Sequence, residues 1–171
     1  MNEQMIARAI RSVLGENYQD AGSKQTQISR MTANITLNAA EALMKKVEAE
    51  ARQMGLKVVT AVANAHGNIV AVRCMDDSYI GSFDVAVNKA YTSVAFKMTT
   101  ETLGRYSQPG GGLYGIQLTN QGRIVNFGGG APLKVGEDII GGIGVSGGSA
   151  EQDIHLADFA VEAFREITGQ K

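Results

Sequence analysis

Two histidines, one cysteine and a few cations set among apolar neighbours are the side chains here best able to do chemistry. His66 stands between Ala65 and Gly67, where a short turn divides two β-branched runs. An imidazole at such a tip can ligate a metal or a haem iron, or it can simply be a solvated turn residue. His155 follows Asp153 at the start of a C-terminal helical pattern, where an acid suits the positive end of a helix. Its own plainest reading is a surface or cap-proximal side chain. Cys74 and Met75 form a sulfur pair at the end of the second run, which serves a core as readily as a metal. Arg73 and Lys89 each sit inside an otherwise apolar element. Each is a candidate partner for a carboxylate or propionate, or a snorkelling side chain.

Other constellations are missing. There is no H-E-x-x-H or C-x-x-C spacing and no G-x-x-x-x-G-K-[ST] phosphate loop. No nucleophile–base or acid–base pair is visible. The chain has 21 glycines, most of them between Gly104 and Gly148. Glycine lets backbone N–H groups reach a phosphate, so residues 128–130 and 141–144 invite a nucleotide reading. A cradle of that kind must follow a strand and open a helix. Residues 141–144 fall inside a strand pattern instead, which favours flat packing against a helix or another subunit.

The elements that must position these residues read as follows. Met5, Ile6, Ala9, Ile10, Val13 and Leu14 form an apolar stripe on a short N-terminal helix, closed by Gly15. A polar, aperiodic stretch follows to about residue 33 and reads as a linker. A helix detached in this way is a candidate for docking on another protein. The globular part, residues 34–171, opens with Thr36 as N-cap of a helix over residues 37–53, ended by Gly55. Residues 57–64 and 68–75 make a hairpin. A second helix spans 82–97 with Phe83, Val87, Ala90, Tyr91 and Val94 expected inward, then a short helical turn at 99–104. Residues 122–126 read as a strand, 131–135 and 138–145 as a hairpin, and 153–167 as a terminal helix. The order α-β-β-α-β-β-β-α with short connections predicts an α+β fold: a central antiparallel sheet of about five strands with helices on both faces.

Composition narrows the partners. The 171 residues fit one compact domain plus an appendage. Sixteen Lys and Arg against seventeen Asp and Glu leave no basic surplus for nucleic acid. A single cysteine excludes a disulfide framework and suits a reducing cytosol. No apolar run approaches the roughly 20 residues of a membrane helix, nor does the N-terminus read as a secretory signal.

Several stretches carry a resemblance. VANAHG (62–67) followed by VRCMDD (72–77) resembles a V-D-x-x-G … R-M-D hairpin, and AVNKAYT (86–92) an A-x-x-K-A-x-T helix. FGGGAPL (127–133), IIGGIGVSGG (139–148) and Gln152-Asp153 are similar to G-G-x-P-L and I-G-x-I-G-V-S-G … Q-D. These belong to the GlcG/HbpS-like haem-degrading family, and Gln108-Pro109-Gly110 with Leu113-Tyr114-Gly115 points to the branch of PduO-type C-terminal domains. The resemblance covers about residues 35–164. It implies profilin-like α/β/α layers, assembly into a dimer or a higher oligomer such as an octamer, and haem or cobalamin as cofactor. Asn64 departs from the family's Asp. The 171 residues leave no room for an adenosyltransferase domain, so corrinoid adenosylation is not expected. Separately, residues 1–15 resemble encapsulation peptides of bacterial microcompartment enzymes, which lay an amphipathic helix on a shell or cargo protein.

Three functional expectations follow. The first is a non-enzymatic, microcompartment-associated accessory protein that holds haem or a corrinoid in support of diol, glycyl-radical or related metabolism. Its cofactor residues are expected to be His66 (also the metal ligand), Arg73, Lys89, Thr92, Gly129 and Gly130, and its partner-binding residues Ile6, Ile10, Val13 and Leu14. The second is a small-metabolite enzyme with Lys89 and Thr92 in a glycine-lined pocket, and the third a scaffolding module. The expected location is the cytoplasm, within the microcompartment lumen, with neither nucleic acid nor membrane as partner.

Overall fold

The computed structural model describes residues 32–169. The N-terminal helix and most of the linker expected from the sequence lie outside the described residues. The chain runs α1 (Leu37–Gln53), β1 (Val59–Asn64), β2 (Ile69–Cys74), α2 (Ile80–Phe96), α3 (Thr100–Tyr106), two short 3-10 turns, β3 (Gly130–Val135), β4 (Asp138–Ser146) and α4 (Ala150–Thr168). The strands form one antiparallel sheet in the order β2-β1-β4-β3. The α+β class is as expected from the hairpin-length connections.

Local chemistry explains the boundaries. Thr36 caps α1, its hydroxyl accepting from the Ala39 N–H, and Gly55 follows the C-cap with φ +71°. Ser149 and Gln152 form a reciprocal capping box at the start of α4. At the β1–β2 turn the Asn64 side chain accepts from the N–H groups of His66 and Asn68, and Gly67 takes φ +77°.

The sheet has two covered faces. On one, Val58, Val62, Leu133, Ile143 and Val145 pack against Leu43, Met44 and Val47 of α1 and Leu156, Ala160 and Phe164 of α4. On the other, Val59, Ala61 and Ala63 meet Ala86, Ala90 and Val94 of α2. The alternation along β1 is the period of two that a strand between two layers requires. α2 lies so close to β4 that a Cβ on Gly144 would strike the Ala86 carbonyl oxygen and come within 2.6 Å of the Ala90 nitrogen. A Cβ on Gly142 would meet the Ser93 hydroxyl and the Ala90 carbonyl. Packing, rather than a phosphate cradle, accounts for these glycines.

Two expectations are corrected. The sheet has four strands among the described residues, because residues 122–126 do not join it. Their backbone bonds elsewhere: the Val125 N–H donates to the Thr92 hydroxyl at 3.1 Å. Phe83 points away from the core and is 50% exposed. The face of α2 that meets the glycine strand is made of Ser82, Ala86, Lys89, Ala90 and Ser93, since only short side chains or an extended amine fit such a close approach.

Candidate functional site

Lys89 is the largest fully buried side chain, with no exposed surface. Its ammonium donates to Asp153 Oδ2 at 2.7 Å and to the Val145 carbonyl at 2.8 Å, and lies 4.8 Å from the centre of the Phe127 ring. The other oxygen of Asp153 accepts the Gly148 N–H at 2.9 Å. Desolvation lowers the pKa of Lys89, opposed by the charge and hydrogen bond of Asp153. Gly129 closes the centre: at φ +111°, a Cβ there would sit 2.6 Å from the ammonium nitrogen. Gly130 runs beside it, with its N–H on the Thr100 hydroxyl at 2.9 Å, and a Cβ would meet the Lys89 carbonyl. Thus α2, the end of β4, the start of α4 and the 127–130 crossing meet at one buried ion pair.

A second group gathers at the β1–β2 tip. His66 is exposed there, and its imidazole makes no hydrogen bond among the described residues. The neighbouring Gly67 rests on Tyr91 of α2, where a Cβ would come within 3.0 Å of the ring. The Arg123 guanidinium stacks over the same ring at 3.9 Å from its centre, and the Asn120 amide donates to the Tyr91 hydroxyl at 3.1 Å. Arg123 Nε also lies 3.5 Å from Asn88 Oδ1, and the Asn88 amide donates to Asp84 at 3.1 Å.

The residues named from the sequence therefore divide among four places. Lys89, Gly129 and Gly130 come together in the interior, and His66 stands at the exposed tip. Thr92, wholly buried, ties down the 123–125 segment. Arg73 lies on the α1 side of the sheet, its guanidinium bidentate on Glu48, which also meets Arg52 at 3.6 Å. Asp153, Tyr91 and Arg123 were not singled out from sequence as site residues. The signal for Asp153 lay in the Gln152-Asp153 motif and that for Tyr91 in its place just after Lys89, while nothing local marked Arg123. No group of three or more His, Cys, Asp or Glu suited to a metal occurs among the described residues. A cleft of about 490 Å³ between β3 and α4, lined by Pro132, Lys134, Asp158, Val161 and Arg165, contains none of the expected site residues.

A family model described as haem degrading protein HbpS-like matches residues 35–162. The chain belongs to this HbpS-like family. It is 44% identical over 139 residues to an uncharacterised 15.0 kDa protein of the dhaT-dhaS intergenic region of Citrobacter freundii, covering 81% of this chain and 98% of that protein. It is 41% identical over 120 residues to the corrinoid adenosyltransferase PduO of Salmonella typhimurium, covering 70% of this chain but 36% of that enzyme. The crystal structure of a PduOC:haem complex superimposes with a TM-score of 0.74 at 37% identity, covering 77% of this chain and 95% of that one.

Proposed function

We propose that this protein is a non-catalytic accessory protein that binds a tetrapyrrole, haem or a corrinoid, at the surface around His66. The observation that carries this reading is the exposed imidazole, without a hydrogen bond among the described residues, on a tip braced against Tyr91. An iron centre needs an accessible ring nitrogen, and His66 offers one. Tyr91 and Arg123 beside it offer an aromatic flank and a cation for a propionate. These residues fit the group. Haem, if bound, would supply an iron that the His66 ring nitrogen would hold; the protein's part is to present that nitrogen and hold the tip still. Lys89, Gly129 and Gly130 support the site from within by fixing α2 and the Phe127 crossing. Two relatives support the reading, one described in complex with haem and one as a corrinoid enzyme.

The test is titration of haemin, and separately of hydroxocobalamin, into the full chain. A stoichiometric change in the Soret or corrin bands is expected, and His66→Ala should remove any low-spin imidazole spectrum while the far-ultraviolet circular dichroism is unchanged. No change in either set of bands overturns the proposal. The setting we propose is a bacterial microcompartment serving diol or related metabolism, with the protein self-associated and residues 1–15 contacting a shell or cargo protein. This setting is supported by the kinship to PduO and by the apolar stripe Ile6, Ile10, Val13 and Leu14.

A further inference from the structure

We propose that residues 119–123 form a strap, latched on Tyr91, that opens when an anionic group of a ligand at the His66 tip draws Arg123 off the ring. This rests on the reading of the tip as a ligand site and specifies what the site moves and which ligands move it. Asn120, Gln121 and Gly122 stand in the left-handed region one after another, at φ +51°, +60° and +76°. Only the last is glycine. Asparagine tolerates this conformation by bonding its short side chain locally, but the Asn120 amide donates to the Tyr91 hydroxyl instead, at 3.1 Å. Gln121 has no such tolerance, and a non-glycine residue held there disfavours its segment about fivefold or more. Strain of this kind persists only where neighbouring structure imposes it.

Tyr91 is what imposes it. Thr119, Asn120, Gln121 and Gly122 are all exposed, and Leu118 before them is 81% exposed, so little burial holds the segment down. Its backbone bonds are internal: the Gly122 N–H donates to the Thr119 carbonyl at 2.9 Å and the Arg123 N–H to the Asn120 carbonyl at 3.2 Å. Among the described residues, the Asn120 amide on Tyr91 is the hydrogen bond that ties 119–122 to a main helix or strand. The Arg123 guanidinium is the second hold, 3.9 Å from the centre of the same ring. Beyond it the chain is fixed, because the buried Thr92 hydroxyl accepts the Val125 N–H at 3.1 Å. Residues 123–125 are therefore the hinge. Among the described residues Arg123 is in no ion pair, and besides the ring it reaches Asn88 Oδ1 at 3.5 Å. A guanidinium grips a carboxylate with two charge-assisted bonds, a stronger contact than an aromatic face offers. The edge of the ring meets Gly67, beside His66. One ring thus carries the tip on its edge, the cation on its face and the strained turn on its hydroxyl. A carboxylate arriving at the tip competes for Arg123 at that ring, and once Arg123 leaves, a single amide bond remains against the strain.

The experiment is hydrogen exchange of the full chain, read by mass spectrometry on peptides spanning residues 116–124, with the β1 amides as the check on the fold. Without ligand, Tyr91→Leu and Arg123→Ala are each expected to speed exchange in the strap about fivefold and leave β1 unchanged. Gln121→Gly, which removes strain but keeps the latch, should slow it about fivefold. Wild-type rates in both latch variants overturn the strap, as does faster exchange in Gln121→Gly. Haemin and its dimethyl ester then separate the trigger from the ligand reading. Both are expected to shift the Soret band, and only haemin, with its free carboxylates, to speed strap exchange. A Soret shift with an unchanged strap, or with equal opening by the ester, overturns the carboxylate trigger alone. No Soret shift overturns the tip as a ligand site and the trigger with it, while the ligand-free variants still decide the latch.

Discussion

The ammonium of Lys89 lies 2.7 Å from a carboxylate oxygen of Asp153, which is 64 residues further along the chain. Both side chains are almost wholly removed from water, at 0% and 6% exposure. Removing one partner of such a pair strands a buried charge, which typically costs about 3–5 kcal/mol. Lys89→Met is therefore expected to lower the unfolding free energy by that amount. Lys89→Met with Asp153→Asn, which keeps the acceptor for the Gly148 N–H, should recover much of the loss. Urea denaturation of the two variants checks this; equal stability for both would remove the pair from any account of the fold.

The same centre has a pH signature. Burial lowers the Lys89 pKa in the folded state below its ordinary 10.5. Between the lowered folded value and 10.5, the unfolded chain holds a proton that the folded chain has released. Unfolding then takes up a proton, so stability rises with pH in this window. The cost of enclosing the ammonium is present in full below the folded value and is relieved as pH rises through it. Urea melts at several alkaline pH values should show this rise in the wild type relative to the Lys89→Met/Asp153→Asn variant, which lacks both titrating groups.

Gly144 and Gly136 offer a contrast. Gly144→Ala drives a methyl group into the backbone of α2 at Ala86 and Ala90. Neither neighbour can rotate away, so a loss of about 3 kcal/mol or more is expected. Gly136, in the β3–β4 turn at φ +58°, has open space around it. Gly136→Ala meets only the left-handed backbone cost of about 1 kcal/mol. Thermal melts of the two variants should separate clearly, with Gly144→Ala by far the lower.

How much of this was legible beforehand differs by element. The β1–β2 hairpin declares itself because β-branched alternation and an Asn64–Gly67 turn agree, and α1 because Thr36 and Gly55 mark its ends. The orientation of α2 was not legible, since apolarity usually marks burial and here the buried face is small or cationic. The signal was the glycine strand itself: a backbone without side chains demands a facing helix with short ones. Residues 122–126 resembled a strand by composition, but a tertiary bond from Val125 to Thr92 takes the N–H that a ladder would use. The pairing of Lys89 with Asp153 could not be read from spacing, because nothing local links residues in different helices. Asp153 looked sufficient as a first-turn acid.

Residues 1–15 yield a prediction that is separate from the described fold. Deleting them should leave residues 32–169 folded, because among the described residues the two cores are built from residues 35–164. The deletion should abolish co-purification with shell or cargo proteins, and Ile10→Glu should reproduce that loss with one residue. A truncated chain that still co-purifies with such partners would defeat the targeting role.

The brace between Gly67 and Tyr91 also has an optical consequence. The chain contains five tyrosines and no tryptophan, so its intrinsic emission is that of tyrosine alone. Tyr91 touches the backbone one residue from His66, and its hydroxyl takes a hydrogen bond from Asn120. A strongly absorbing chromophore settling at the tip must drain excitation from this ring before the more distant ones. Residue by residue replacement of the tyrosines with phenylalanine thus turns the protein into its own ruler, its quenching pattern locating the chromophore without any attached label.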